Sequence, residues 1–458
     1  MLFEKIESPG LAHNSYLVGD EGVCVVVDPR RDANVYVERA TAEGLRIAYV
    51  LETHRNEDYL IGSCELASRT GAELWHADDQ WDYEYGKAVR DGQEWQVGGL
   101  TFRALHTPGH TPGHMSYVLH EPDGAPWMVF TGDALFAGDV GRVDLMGMDR
   151  AQEMARLLHE SLFEKILALG DHVLICPAHG AGSVCGASID DRPWTTVGLE
   201  RRLNPRLQLD DREEFVRHVA HDMENPPYFK RMEAWNVAGP PVLGSLPAPT
   251  PLAPREFAHQ AEGATVVDVR AELGFGAAHV PGAISIWQAG LASFVGWFVP
   301  YDRPLLLVLE DDDPTPAVRT LVRTGYDNVA GFLSGGMLAW HTDGKQSDEI
   351  STVTVQELCR RLDAGEDVWI LDVRKEVELE EEGRIERATH IHVTQLPNHL
   401  EEVPRERPVY IFCGTGLRSM IAASLLQRAG WRTDRGGSQV SVVLGGFEGW
   451  TSTSCEIV

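Results

Sequence analysis

The chain has 458 residues, long for a single core and suited to about three domains of ordinary size. Lys plus Arg number 40 against 69 Asp plus Glu, a formal charge of -29, and such a field repels phosphate backbones and anionic membranes, which excludes nucleic acid and membrane surfaces as partners. Seven cysteines (24, 64, 176, 185, 359, 413 and 455), irregularly spaced and without a CxxC pair, speak against a disulfide framework and a structural zinc ribbon.

The N-terminus, Met1-Leu-Phe-Glu-Lys-Ile6, lacks a basic region followed by an apolar core, and no apolar run reaches membrane-spanning length. A cytoplasmic location is therefore expected. Asn14–Gly19 and Val23–Asp28 read as a hairpin of strands around the turn Gly19-Asp-Glu-Gly22, and Ala33–Glu43 as a helix. The apolar run Leu45–Leu51 leads into Thr53-His54-Arg55-Asn56-Glu57-Asp58-Tyr59, and a second helix is expected over Tyr59–Thr70.

The strand-like Leu100–Leu105 then runs into His106-Thr-Pro-Gly-His110-Thr-Pro-Gly-His114. Two Thr-Pro-Gly turns in succession exclude helix, because proline removes a donor and glycine invites a positive φ. The segment is a stiff loop that displays imidazoles, and Met115–Leu119 continues as a strand. Trp127–Phe130 delivers Thr131-Gly132-Asp133, and His172–Cys176 delivers Pro177-Ala-His179. Four strand ends, each with a metal-ligating side chain, make a constellation rather than scattered core histidines. Phe136-Ala-Gly-Asp-Val-Gly-Arg142-Val-Asp144 is a glycine-rich loop, followed by an amphipathic helix over Arg150–Leu169. Cys185, six positions past His179, lies in a flexible loop that can reach the same mouth; sulfur chemistry and a buried inert thiol are both open.

These residues resemble the metallo-β-lactamase superfamily, which implies an αββα sandwich over residues 1–238 with metal at the strand ends. The family's His-x-His-x-Asp-His motif stands here as His54-Arg-Asn56-Glu-Asp58-Tyr59, so two ligands are replaced, and asparagine is a poor zinc ligand. His54, His110 and Asp133 survive. Two imidazoles and one carboxylate are the donor set of mononuclear non-haem Fe(II) sites with open positions. The resemblance to the persulfide dioxygenase branch implies that these three hold one iron per chain, with zinc or manganese as the alternative. Asp58, Asp133 and His179 offer a rival one-metal set. In the same branch a Gly-Asp-x-Gly-Arg-x-Asp segment follows the ligand aspartate; Arg142 is read as a buttress, with an ordinary loop salt bridge equally open.

Prolines from Gly239 to Pro254 hold the backbone extended and read as a semi-rigid linker that packs into no regular element. Beyond it the chain repeats: Asp268-Val-Arg270 is matched by Asp372-Val-Arg374, and Gly335-Gly-x-x-x-Trp340 by Gly445-Gly-x-x-x-Trp450. The offset is a domain's length, and each copy alternates strand and helix, so each is expected to be a small α/β domain with a parallel sheet. Both copies resemble rhodanese domains, over 255–346 and 350–458. In the second, the strand Val409–Phe412 leads into Cys413-Gly414-Thr415-Gly416-Leu417-Arg418, and a helix is expected over Ser419–Arg428. Glycines let consecutive amides face one anion and the helix start favours a thiolate, so Cys413 is the expected nucleophile and Arg418 the holder of an anionic donor. Four residues between Cys413 and Arg418, one fewer than in the related phosphatases, favour sulfur over phosphate. In the first copy the strand Leu305–Leu309 ends in Glu310-Asp-Asp-Asp313, with Glu310 read at the cysteine position, so this copy is expected to be inactive.

The chain as a whole resembles bacterial persulfide dioxygenase–rhodanese fusions. That implies oxidation of a small-molecule persulfide by dioxygen to sulfite, with sulfane sulfur carried on Cys413 and thiosulfate as product or donor. The alternatives are a zinc or manganese thioester hydrolase fused to a sulfurtransferase, and a non-oxygenase carrier or sensor with a degenerate metal site. Homo-oligomerisation is left open.

Overall fold

The structure, a computed structural model, describes residues 1–186, 188–432 and 439–453. It divides into two compact units, one of residues 1–246 with 322–325 and one of residues 247–321 with 326–458.

In the first unit, two six-stranded sheets face each other. One runs in the order Leu2–Ser8, His13–Asp20, Val23–Val27, Arg46–Leu51, Glu73–His76, Lys87–Ala88; the other in the order Thr195–Thr196, Leu174–Pro177, Pro126–Gly132, Met115–His120, Leu100–His106, Glu94–Val97. Alternation along the strands decides the layers. Tyr16, Val18, Val25 and Val27 point inward to meet Phe102, Tyr117 and Phe130, while Leu17, Cys24 and Val26 point outward beneath Tyr36 and Ala40 of helix Asn34–Ala42. The outer face of the second sheet, through Val118, Val129 and Ile175, is covered by Met154, Leu158 and Leu162. The result is the expected αββα sandwich.

Two helices differ from expectation. Ser63–Thr70 begins four residues late, because the Tyr59 carbonyl and the Ile61 amide are both taken by the Asn236 side chain. Met148–Glu160 widens into a π-helical stretch over Ser161–Ile166 before a 3₁₀ turn at Leu167–Leu169.

The proline-rich segment is not the structureless linker expected. Thr250–Leu252 is a strand, paired in parallel with Gly331–Leu333. It lies at the edge of its sheet, where Pro251 tolerates the loss of a donor. Earlier in the segment, the Leu243 and Gly244 amides both donate to Glu65.

In the second unit each copy has its own five-stranded parallel sheet, with equivalent orders: Thr250–Leu252, Val329–Leu333, Leu305–Val308, Thr265–Asp268, Ile284–Ser285 in the first, and Ser351–Thr354, Val440–Leu444, Val409–Phe412, Trp369–Asp372, Ala388–His390 in the second. The copies share one core in which Phe275, Val280 and Ile350 join Met420, Ile421 and Leu426. His279 Nε2 meets Gln427 Oε1 at 2.8 Å, and the Ser285 amide donates to Ser424 Oγ at 3.2 Å. The first copy therefore packs against helix Leu417–Arg428, which begins at the cysteine loop.

The shared register corrects the sequence alignment of the copies. Asp268 pairs with Val308 and Asp372 with Phe412, so Leu309, not Glu310, occupies the position of Cys413. Leu309 is buried and apolar, and the conclusion that this copy lacks the nucleophile holds.

Cys24, Cys64, Cys176, Cys185 and Cys413 are free, whereas Cys359 is disulfide-bonded; among the described residues this is not the disulfide framework that the cysteine spacing spoke against. Cys455 lies outside the described residues. Among the described residues no helix is long and apolar enough to cross a membrane.

Phe102 is fully buried between the sheets and stacks on Phe130 at 5.5 Å. Phe102→Ala is expected to destabilise the first unit by about 3–5 kcal/mol, seen as earlier thermal unfolding while sulfur loading of Cys413 is retained.

Candidate metal centre and sulfurtransferase loop

His54 follows strand Arg46–Leu51, Asp133 follows Pro126–Gly132, His179 follows Leu174–Pro177, and His110 sits in the loop between Leu100–His106 and Met115–His120. All four converge at one end of the sandwich and all are buried. His54 Nε2 lies 3.8 Å and His110 Nε2 3.6 Å from the same oxygen, Asp133 Oδ2.

The outer nitrogens explain this presentation. Thr53 Oγ1 donates to Asp28 Oδ2 at 2.8 Å, so it accepts from His54 Nδ1, also at 2.8 Å. His110 Nδ1 donates to the Arg142 carbonyl at 2.9 Å. In the neutral ring each arrangement places the lone pair on Nε2, although Glu57 favours the protonated form of His110 when no metal is bound. Both Nε2 atoms are buried without a hydrogen-bond partner. Burying a polar atom unpaired is costly, and a divalent metal between the two imidazoles and Asp133 would satisfy both. These residues therefore fit the metal the fold family implies.

His114 plays a different part: its Nδ1 is bound to Thr107 and its Nε2 accepts from the Asp133 amide at 3.0 Å. Gly132, at φ +50°, is required here because a Cβ would lie 2.4 Å from that Nε2.

His179 faces two carboxylates. Its Nδ1 is 2.8 Å from Asp133 Oδ1, and its Nε2 is 3.1 Å from Asp58 Oδ2 without the alignment of a hydrogen bond. Burial opposes a charge on this ring, but Asp133 and Asp58 outweigh it and hold its pKa well above the ordinary value. Cys185, also buried, completes a cluster with Asp58 and His179; burial first, then Asp58 and Glu57, push its thiol well above the usual range. Arg142 is both buttress and salt bridge, since its guanidinium forks onto Asp144 at 2.7 and 2.6 Å while its carbonyl orients His110. Tyr59 and Asn56 stand at replaced motif positions: the Tyr59 ring packs 4.1 Å from that of His13, and Asn56 Nδ2 turns back to the His54 carbonyl.

Three residues at this site escaped the sequence reading. Glu57 is buried with Oε1 3.3 Å from His110 Nε2. Burial raises and His110 lowers its pKa, which falls to about 2, while His110 rises to about 9 as Glu57 overcomes the burial of the ring. Its place inside the motif was the available signal. Asp78 accepts from the Arg55 amide, the Thr111 hydroxyl and the Gly113 amide, at 2.9, 2.8 and 2.7 Å, and so pins the two ligand loops together. Asn236, on helix Phe229–Ala238, holds the Asn56 and Tyr59 carbonyls. No local pattern marks Asp78 or Asn236.

In the second unit Cys413 is buried at the end of its strand, and its Sγ accepts from the Gly416 amide at 3.1 Å. Gly414 leads into exposed Thr415, and helix Leu417–Arg428 follows. Arg418 Nη1 and Nη2 fork onto Glu378 at 2.5 and 2.6 Å, a partner the sequence did not suggest. Gly446, at φ +48°, passes so close that a Cβ would lie 2.1 Å from the Cys413 carbonyl. In the first copy the corresponding loop carries carboxylates, with Asp312 accepting from the Gly335 amide and Asp313 from Thr315.

Comparison with known proteins accords with this division. Residues 8–179 match the metallo-beta-lactamase superfamily, and residues 254–343 and 354–453 each match the rhodanese-like domain. The chain is 33% identical over 230 residues to the mitochondrial persulfide dioxygenase ETHE1 of Bos taurus, covering 47% of this chain and 80% of that protein. The chain belongs to the persulfide dioxygenase family of the metallo-β-lactamase superfamily, fused here to two rhodanese-like domains. The fusion is also 28% identical over 214 residues to the hydroxyacylglutathione hydrolase GloC of Haemophilus influenzae, covering 42% of this chain and 91% of that one. A solved metallo-beta-lactamase from Staphylococcus aureus subsp. aureus COL superposes with a TM-score of 0.64 at 28% identity, over 73% of this chain and 98% of that one. Membership in this family makes the fusion a protein of sulfur metabolism.

Asp78→Ala is expected to release both ligand loops. Removing a buried carboxylate that takes three hydrogen bonds costs about 3 kcal/mol or more, and hydrogen exchange should report lost protection at the Arg55 and Gly113 amides with the sheets unchanged.

Proposed function

We propose that this chain oxidises a small-molecule persulfide to sulfite at one Fe(II) held by His54, His110 and Asp133, and that Cys413 carries sulfane sulfur as a persulfide. The single observation that supports the metal site is the pair of buried, unpartnered Nε2 atoms aimed at Asp133 Oδ2. Iron there would supply a centre at which a thiolate sulfur and dioxygen meet. The protein's part is to fix the donors. Thr53 and the Arg142 carbonyl hold the imidazole tautomers, and the Asp133 amide is tied to His114 while its carboxylate is tied to His179. The overall conversion is RSSH + O₂ + H₂O → RSH + SO₃²⁻ + 2 H⁺.

At the second site, the Gly416 amide stabilises negative charge on Cys413. Attack of sulfite on a Cys413 persulfide would form the new S–S bond of thiosulfate and return the thiolate; the reverse reaction would load Cys413 from thiosulfate. Arg418, presented by Glu378, would balance the charge of the anionic donor. Leu309 in the first copy leaves that domain a packing role against helix Leu417–Arg428.

The Asp58, His179 and Cys185 cluster favours a second reading, a two-metal hydrolase. The chain's likeness to the hydroxyacylglutathione hydrolase supports it, while Asn56 and Tyr59 weigh against it.

In anaerobically purified protein, one iron per chain is expected, and His110→Ala should lose iron and persulfide-dependent oxygen uptake together. Two zinc or manganese ions per chain would favour the hydrolase. Mass spectrometry after thiosulfate treatment should find one added sulfur on Cys413 and none in Cys413→Ser, and full sulfurtransferase activity in that variant would contradict the assignment.

A further inference from the structure

The motif position that normally supplies a second histidine is Asn56, whose side chain turns back to the His54 carbonyl, and the neighbouring side chain takes the space instead. Glu57 is fully buried, and one of its carboxylate oxygens lies within 4.8 Å of both a His54 and a His110 ring nitrogen; a second such group joins Glu57 to Asp133 and Cys185. Its two oxygens are unequal. Oε1 is 3.3 Å from His110 Nε2 and accepts from the Cys185 thiol at 3.3 Å, whereas Oε2 is buried with no hydrogen-bond partner. A buried carboxylate with one oxygen unpaired, within reach of two unpaired imidazole nitrogens, has the donor chemistry of a metal ligand rather than of a packing residue.

We propose that Glu57 is a fourth protein ligand, so that His54, His110, Asp133 and Glu57 hold the metal together. The inference rests on the metal site described under Proposed function. Two carboxylates would neutralise a divalent ion in this buried site. The Cys185 thiol serves as the hydrogen-bond donor that orients Glu57. A carboxylate thus replaces, one residue along the chain, the imidazole lost at Asn56.

The test uses the full chain, made metal-free and titrated anaerobically with Co(II) alone, reading stoichiometry by elemental analysis, affinity by competition with a chromophoric chelator, and the visible absorption of bound Co(II). His110→Ala should bind none at this site. Glu57→Gln, which keeps the shape, should weaken binding by at least about tenfold and, at saturating Co(II), shift the position and intensity of the visible bands. Near-UV circular dichroism of metal-free Glu57→Gln should match the wild type; because the spectral comparison is made on protein that has bound Co(II), it reads coordination and not folding. Weaker binding with an unchanged spectrum would make Glu57 a neighbouring charge and overturn the proposal, as would unchanged affinity and spectrum while His110→Ala loses the metal. In both cases the metal site itself would stand. Wild-type binding by His110→Ala, or no uptake by the wild type, would overturn the metal site and this inference together.

Discussion

An imidazole has two nitrogens, and a buried one must account for both; the site in the first unit depends on how that constraint is met. His54 and His110 tie down the outer nitrogen, one through Thr53 to Asp28 and the other to a backbone carbonyl, and each leaves the inner nitrogen bare. His114 spends both nitrogens on the protein and is structural for that reason. His179 ties Nδ1 to Asp133 and faces Asp58 with its other nitrogen. Four imidazoles within one cluster thus differ in what their nitrogens meet, and only His114 has both nitrogens paired within the protein.

The same constraint explains the cost of building the site. Carboxylates, imidazoles and a thiol share a water-free end of the sandwich, where an unpaired polar group is expensive. Asp78 and Asn236 meet much of that cost on the backbone side by pinning the loops that carry the donors. The positive-φ glycines contribute by letting segments approach more closely than a Cβ permits, as Gly132 does beside His114.

The second unit shows the opposite economy. Two copies of one fold retain the Asp-Val-Arg strand end, with Arg270 and Arg374 each forked onto the preceding aspartate. They differ in the loop that follows the central strand. Where one copy has Cys413 followed by glycines, the other has Leu309 followed by a run of carboxylates, two of which accept from the Thr315 and Gly335 amides. The copy that lacks a cysteine at this position still packs against the other, since Phe275 and Val280 share a core with Met420 and Ile421.

Most strands of the first unit, the His-rich loop, the candidate ligands His54, His110 and Asp133, and the Cys413 loop could be read from the chain itself, because each is a local pattern: an alternation, a pair of Thr-Pro-Gly turns, a cysteine followed by glycines and arginine. The register between the rhodanese copies could not, for a one-residue offset in an apolar run leaves no local trace, and only strand pairing identified Leu309 in place of Glu310. The strand at Thr250–Leu252 was hidden because proline reads as a breaker until its place at a sheet edge is known. Asp78, Asn236 and Glu378 carry no sequence signature, since acidic and amide side chains are common on surfaces and their significance comes from burial and from partners distant in the chain. What the sequence determined alone was therefore which chemistry-bearing side chains the chain possesses and in what local patterns. Which side chains are deprived of water, and so which atoms remain to bind a ligand, was decided by tertiary packing, because burial and pairing exist only once distant segments meet.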